Sequence, residues 1–214
     1  INPNSTASMT EKIGIAAKGA ASAGTEVIAV NPPGGPVSIE GYYDEALSVP
    51  GLLGVIQTTP GFDAVIIACF DDTGLDAARC LTDRPVIGIG EAAYHFASMI
   101  ANKFSVVTTL ARSVPALEHN LHKYGLATRC ARVRSSEVAV LELEHPGSDA
   151  CNRISAEIGR ALAEDRAEAS IACRQVGPLS FPGPLKKQEE VFSERMSILF
   201  KRLRIVRMVD PTRN

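Results

Sequence analysis

The chain has no tryptophan, and aromatic residues of all kinds fill only 5% of its 214 positions. So modest an aromatic payload predicts a core helped by contacts between subunits, and a homo-oligomer is expected. Charge of one sign is also missing. Lys plus Arg total 22 against 24 Asp plus Glu, a net charge of −2. That balance speaks against nucleic acid and against an anionic membrane surface as partners. No apolar run approaches the ~18–20 residues of a membrane span. Lys12 is the first basic residue and no long apolar region follows it, so nothing near the start reads as a secretory signal. No C-x-x-C occurs, and the five cysteines, Cys69, Cys80, Cys130, Cys151 and Cys173, cannot all pair. Free thiols and a cytoplasmic location are the expectation.

The familiar cofactor signatures are absent too. There is no G-x-G-x-x-G, no P-loop, no G-x-S-x-G and no kinase set. His119 and His122 share a helix face, but no third ligand follows at zinc spacing. No lysine sits where a pyridoxal Schiff base is indicated. Neither a metal site nor a nucleotide or pyridoxal site is expected from these residues.

What is present is an alternation. Short apolar runs at Val27–Val30, Asp63–Cys69, Pro85–Ile89 and Phe104–Val107 are separated by alanine-rich, helix-favouring stretches at Thr10–Ala23, Gly74–Leu81 and Glu91–Ala101. Continuous apolar strands between helices predict an α/β fold with parallel sheet covered on both faces. Ile1 is expected to end a first strand, which leaves INPN at that strand's C-terminal end. The alternation resumes with a helix over Ser113–Tyr124 stopped by Gly125, a strand at Cys130–Val133, a helix over Ser148–Asp165 and a short strand at Ser170–Cys173. Two lobes of about a hundred residues suit this pattern. The division expected is 1–97 for the first lobe and 98–187 for the second. A last helix over 188–209 would pack back on the first lobe. From Lys186 onward eight Lys or Arg face four acids, so a +4 tail follows a −6 body. Phe192, Met196, Leu199, Leu203 and Val206 form one helical stripe there, of the kind that packs on its own protein or a sister subunit.

Chemistry is sought at the C-terminal ends of the strands, where open α/β sheets bind ligands. Cys69 ends the AVIIAC run just before a helix, whose amides are expected to lower its thiol pKa and favour an anion beside it. Cys173 ends the IAC run of the second half. Two thiols on facing strand ends suit two-base proton exchange at a stereocentre, one removing a proton and the other delivering one to the opposite face. Cys80, Cys130 and Cys151 lie away from strand ends and are read as structural. Asn4 follows the first strand, where it serves either a helix start or a ligand carbonyl. Gly88, Gly90 and Glu91 form a strand-end turn, and Thr108 and Thr109 bring hydroxyls to the same edge.

These stretches resemble a known family. INPNS at 1–5, SIEGYYDEA at 38–46, IIACFDDTGLDAAR at 66–79, PVIGIGEAA at 85–93 and FSVVTTL at 104–110 are similar to the hydantoin and allantoin racemases of the aspartate/glutamate racemase superfamily. The likeness runs in order to about position 173. Cys69-Phe70-Asp71 stands where amino-acid racemases of the superfamily carry Cys-Asn-Thr, which favours a hydantoin-type ring. The resemblance implies two pseudo-symmetric α/β lobes with the active site between them. It implies Cys69 and Cys173 as the acid/base pair, with racemisation at C5 through an enolate and no cofactor. Asn4 and Thr109 would touch the ring's polar atoms. The amides of Phe70 and Asp71 would hold the enolate charge, and the backbone of Glu91 lies beside them. After Cys173 the family has small residues, whereas this chain has Arg174-Gln175 and a Pro- and Gly-bearing segment to Gln188. Two other readings follow from that departure. One is a decarboxylase or cis–trans isomerase acting through a single cysteine. The other is a ligand-binding relative with an altered second half-site.

Overall fold

The computed structural model describes residues 1–145 and 147–173. The expected tail helix over 188–209, its apolar stripe and Arg174 lie outside the described residues. Two parallel sheets organise the rest. β1 (Val65–Ile67) pairs with β2 (Val86–Gly88), and β3 (Phe104–Thr108) lies between β4 (Cys130–Ser135) and β5 (Ala169–Ala172). The mixed α/β class with parallel, helix-flanked sheets is the one read from the alternation.

Ile1 extends the first sheet. Its nitrogen donates to the Ile66 carbonyl, its carbonyl accepts from the Ala68 N–H, and the next N–H, of Asn2, donates to Val30. This is parallel-type pairing. Val27–Val30 does not form a strand of its own, in contrast to the expectation. Only its last carbonyl engages Asn2, and a ladder needs repeated bonds.

The helices are α1 (Ala7–Ala20), α2 (Tyr42–Thr58), α3 (Leu75–Leu81), α4 (Ile89–Ile100), α5 (Val114–Lys123) and α6 (Ala150–Glu164). The 17-residue α2 has no counterpart in the sequence reading, because Pro50, Gly51 and Gly54 punctuate it. Burial of Ser48, Leu52 and Ile56 at four-residue spacing holds it helical against that local preference. Leu52 and Ile56 pack with Val65, Ile67, Leu75, Ala78 and Val86 beneath the first sheet.

A second core joins Tyr94 and Ala97 of α4 to Phe104, Val106, Leu117, Leu121, Leu126 and Val133. Every residue of β3 is buried, as expected for a central strand covered on both faces. Burying its apolar side chains, Phe104, Val106 and Val107, contributes about 1.5–3 kcal/mol each. α4 thus carries the first sheet into the second core, and it runs through position 97 without a break. α6 covers the second sheet. Arg134 on β4 fastens it, through ion pairs to Glu157, Glu164 and Asp165.

Candidate active site

The C-terminal ends of the strands converge on one cavity of about 320 Å³. Asn2 and Asn4 come from the loop after Ile1, Ala68 to Asp71 from the loop after β1, Ile89 from the end of β2, Thr109 from the end of β3, and Ala172 and Cys173 from the end of β5. Cys69 and Cys173, one from each sheet, therefore line the same space. The Cys173 N–H completes the β3–β5 ladder by donating to the Val107 carbonyl at 2.9 Å. The parallel register thus fixes where its thiol emerges.

Cys69 sits in a tight loop. Its carbonyl accepts from the Asp72 N–H at 3.1 Å, and its Sγ lies 3.3 Å from Thr73 Oγ1. The N–H groups of Asp71 and Thr73 also bond the sulfur. Asp72 takes φ = 52°, a left-handed conformation that Asp tolerates better than most residues. Its carboxylate accepts from the N–H groups of Gly90 (2.9 Å) and Glu91 (2.6 Å) and from the Tyr124 hydroxyl (2.8 Å). The two glycines of the GIGE turn exist for this approach. A Cβ on Gly88 would lie 2.1 Å from Asp72 Oδ1, and one on Gly90 2.3 Å from the Phe70 carbonyl oxygen. The turn binds a carboxylate of its own chain.

The electrostatics differ from the expectation of an acidified thiol. Burial pushes the Cys69 thiol up, and the nearby Asp71 carboxyl adds to this. The Thr73 hydroxyl and the two amides oppose without prevailing. Cys173 is pushed up to about 12 by burial and then by Asp71. A dry cavity disfavours any thiolate more than three donors favour one. Asp71 is itself pushed up to about 7, by burial and then by Glu45, with the Ser113 hydroxyl pulling the other way.

Asn4 lines the cavity with its amide partly engaged. Oδ1 accepts from Asn2 Nδ2 and the Thr6 N–H, and Nδ2 contacts only the soft Met9 sulfur at 3.3 Å. Phe70 lines the cavity with its ring edge-on to Tyr94. Thr109 lines it while its carbonyl accepts from the Val138 N–H. Glu91 is different. Its N–H is taken by Asp72 and its carboxylate by Arg79 at 2.6 Å, and it is not among the residues that line the cavity. Cys80 and Cys151 are exposed, and Cys130 is half-buried away from the cavity.

Several lining residues carry no motif of their own. Met9, Lys12 and Ile13 come from α1, Ile39 from the loop before α2, and Val140 and Leu143 from a short 3-10 helix over Val140–Glu144. Glu40 ties these parts together. Buried, it accepts from the Val140 N–H at 2.7 Å and pairs with Arg112. Lys12 pairs with Glu144 at 3.1 Å. The SIEGYYDEA stretch was the available signal for this wall, through Ile39 and Glu40. No group of three or more His, Cys, Asp or Glu suited to a metal ion occurs among the described residues.

Fold and site together define an α/β protein whose strand ends enclose two thiols in an otherwise mainly apolar cavity. A family model described as Asp/Glu/Hydantoin racemase matches residues 1–173, and the chain belongs to that family. A hydantoin racemase of Pseudomonas sp. (strain NS671) is 44% identical over 190 residues, covering 88% of this chain and 76% of that protein. One from Rhizobium meliloti is 49% identical over 173 residues, 80% of this chain and 72% of that protein. The solved structure of an allantoin racemase from Klebsiella pneumoniae superposes with a TM-score of 0.79 at 38% identity, covering 94% of this chain and 78% of that one.

A second family model, described as CreA protein, matches residues 148–214. Protein CreA of Escherichia coli (strain K12) is 43% identical over 60 residues, 26% of this chain and 38% of that protein. The two family models overlap over residues 148–173, and the racemase model's match ends at Cys173, after which the sequence departs from the family pattern.

Proposed function

We propose that this chain is a cofactor-independent racemase of 5-substituted hydantoins or allantoin, with Cys69 and Cys173 as the two acid/base groups. The observation that carries this reading is that both thiols, from different sheets, line one cavity of ligand size. In the proposed step one cysteine, as thiolate, takes the proton from C5. The electron pair moves into the adjacent carbonyl to give an enolate. The other cysteine, as thiol, gives its proton to the opposite face of C5. Product and enzyme then hold the same number of protons as before, with thiol and thiolate exchanged, ready for the other enantiomer.

Asn4 and Thr109 would bind the polar edge of the ring, Phe70 would pack on its face, and preorganised N–H groups of the Cys69 loop would face the developing charge. A donor of that kind contributes about 3–4 kcal/mol where removal has been measured. The small molecule is the only partner this chemistry needs besides further copies of the chain. A homo-oligomer is part of the reading, supported by the exposed side chains of Ile66 and Ile87 on the outer face of the first sheet. Among the described residues no helix is long and apolar enough to cross a membrane.

Solvent deuterium exchange at C5 tests the mechanism. Cys69→Ser should abolish exchange from one enantiomer and Cys173→Ser from the other. Normal exchange of both enantiomers in either variant would sink the two-base step. The end of the racemase family model's match at Cys173 favours a second reading, a relative that binds the ring without turning it over. Hydantoin binding by calorimetry with no C5 exchange in the unaltered chain would select it.

A further inference from the structure

Asp71 lines two cavities. On one side it faces Cys69 and Cys173. On the other it faces a polar cleft of about 250 Å³ formed with Glu45 of α2, Asp72, Asp76 of α3, and His119, Asn120 and Lys123 of α5. The Ser113 hydroxyl favours the charged form of Asp71. Oδ2 is buried with no hydrogen-bond partner among the described residues, and so is Oε1 of Glu45 across the cleft. The backbone is anchored instead, the Asp71 carbonyl accepting from Asn120 Nδ2 at 2.8 Å. The nearby cations are engaged elsewhere, Lys12 with Glu144 and Lys123 with Asp76.

A charge on Asp71 is felt by both thiols and opposes ionisation of each. Glu45, in turn, is the first charged group that opposes ionisation of Asp71, and Asp72 adds to it. Glu45, Asp71 and the thiols thus form a line of groups in which a charge on one discourages a charge on the next. We propose that Asp71 is a positioning residue for charge. Uncharged under the repulsion of Glu45, it leaves the dry cavity free to hold the single negative charge of a thiol–thiolate pair; charged, it keeps both cysteines as thiols. The inference rests on the paired-thiol reading of the cavity. The proton that leaves a thiol goes to solvent, and no other bond changes.

The raised pKa of Asp71, about 7, fits this arrangement. Near neutral pH the carboxyl stands between its two states, and above that range its ionisation defers the thiolates.

The test is the rate of iodoacetamide alkylation of Cys69 and of Cys173, read on separate peptides by mass spectrometry, with the full chain, from about pH 6 to 10. The thiolate is the reacting form, so the rate at fixed pH reports its population. Asp71→Asn is expected to raise both rates at pH 8 by about tenfold, one pH unit of displacement. Glu45→Gln is expected to act in the opposite sense, because Asp71 then ionises at lower pH. The double variant should behave as Asp71→Asn does. Unchanged rates in Asp71→Asn, or shifts of the same sign in both single variants, overturn the proposal. Should Asp71→Asn fail to fold, Glu45→Gln decides alone, and a rate that rises or stays constant overturns it. Racemisation assayed on the same samples separates the two claims. Displaced alkylation curves without racemisation of any hydantoin count against the proposed activity and for Asp71. Racemisation with unmoved curves does the reverse.

Discussion

The Gly90 N–H donates to the Asp72 carboxylate at 2.9 Å, so the loop that carries Cys69 is fastened to the first turn of α4. The bond works only because position 90 has no side chain. The same α4 carries Tyr94 into the core of the second sheet. Loop, turn and core are thus one mechanical unit, and its disturbance should be visible at the thiol.

Gly90→Ala is expected to lower stability by about 2–4 kcal/mol, in the range of overpacked and strained sites. A methyl 2.3 Å from a backbone oxygen cannot be relieved by rotating a side chain. Denaturant unfolding of both proteins measures the loss, and cysteine alkylation should show the Cys69 thiol more accessible. Equal midpoints would mean that the turn yields without cost.

Thr73→Val should leave the fold intact and slow the reaction of Cys69 with iodoacetamide at pH 8. The hydroxyl 3.3 Å from the sulfur stabilises the thiolate, and a hydrogen bond to a charged group contributes about 1.5–3 kcal/mol. A slowing of about tenfold or more is expected for Cys69 and none for Cys173. An equal effect on both thiols would place the cause elsewhere.

Arg134→Ala is expected to cost about 3–5 kcal/mol, the range for breaking a buried pair from one side. Its guanidinium is nearly buried and meets Glu157 and Asp165, whose side chains are also buried. The pH dependence follows from Glu157. Burial alone raises its carboxyl, but Arg134 and Arg160 outweigh burial and hold it below the ordinary glutamate range. A depressed carboxyl contributes stability above its unfolded value, and this is lost as pH falls through the lower folded value. Unfolding free energy should therefore fall below about pH 4.5 in the native chain, with a shallower fall in the variant.

Tyr94→Phe should be neutral or slightly stabilising. The ring is fully buried between Phe70 and Phe104, and its hydroxyl has no hydrogen-bond partner among the described residues. Removing an unpartnered buried hydroxyl removes a desolvation cost of about 1–3 kcal/mol. A marked drop in melting temperature would show that the hydroxyl has a partner after all.

Much of this was legible from periodicity. AVIIAC, PVIGI and FSVVT read as strands because parallel strands buried on both faces are continuously apolar, and each lies where expected. Cys69 and Cys173 were legible as strand-end thiols for the same reason. α2 was not, because Pro50 and two glycines hide a helix whose stability comes from Leu52 and Ile56 packing under the first sheet. The wall made by Lys12, Ile39, Val140 and Leu143 was not legible either. Its residues are scattered over a hundred and thirty positions and carry no spacing that a local pattern can reveal.

By itself, then, the sequence determined the α/β class, the order of most strands and helices, and the family, together with the point near Cys173 where the family pattern stops. Those follow from local burial patterns and short motifs, which need no knowledge of what lies opposite. Only the tertiary structure decided that the two thiols share one cavity, that Glu91 turns to Arg79 and Asp72, and that Asp71 lies between two clefts with its Oδ2 unpartnered among the described residues. It also reversed the expected thiol acidity. The amides of the loop do reach Cys69, but how far a charge is desolvated depends on everything packed around it, and that is a property of the folded chain.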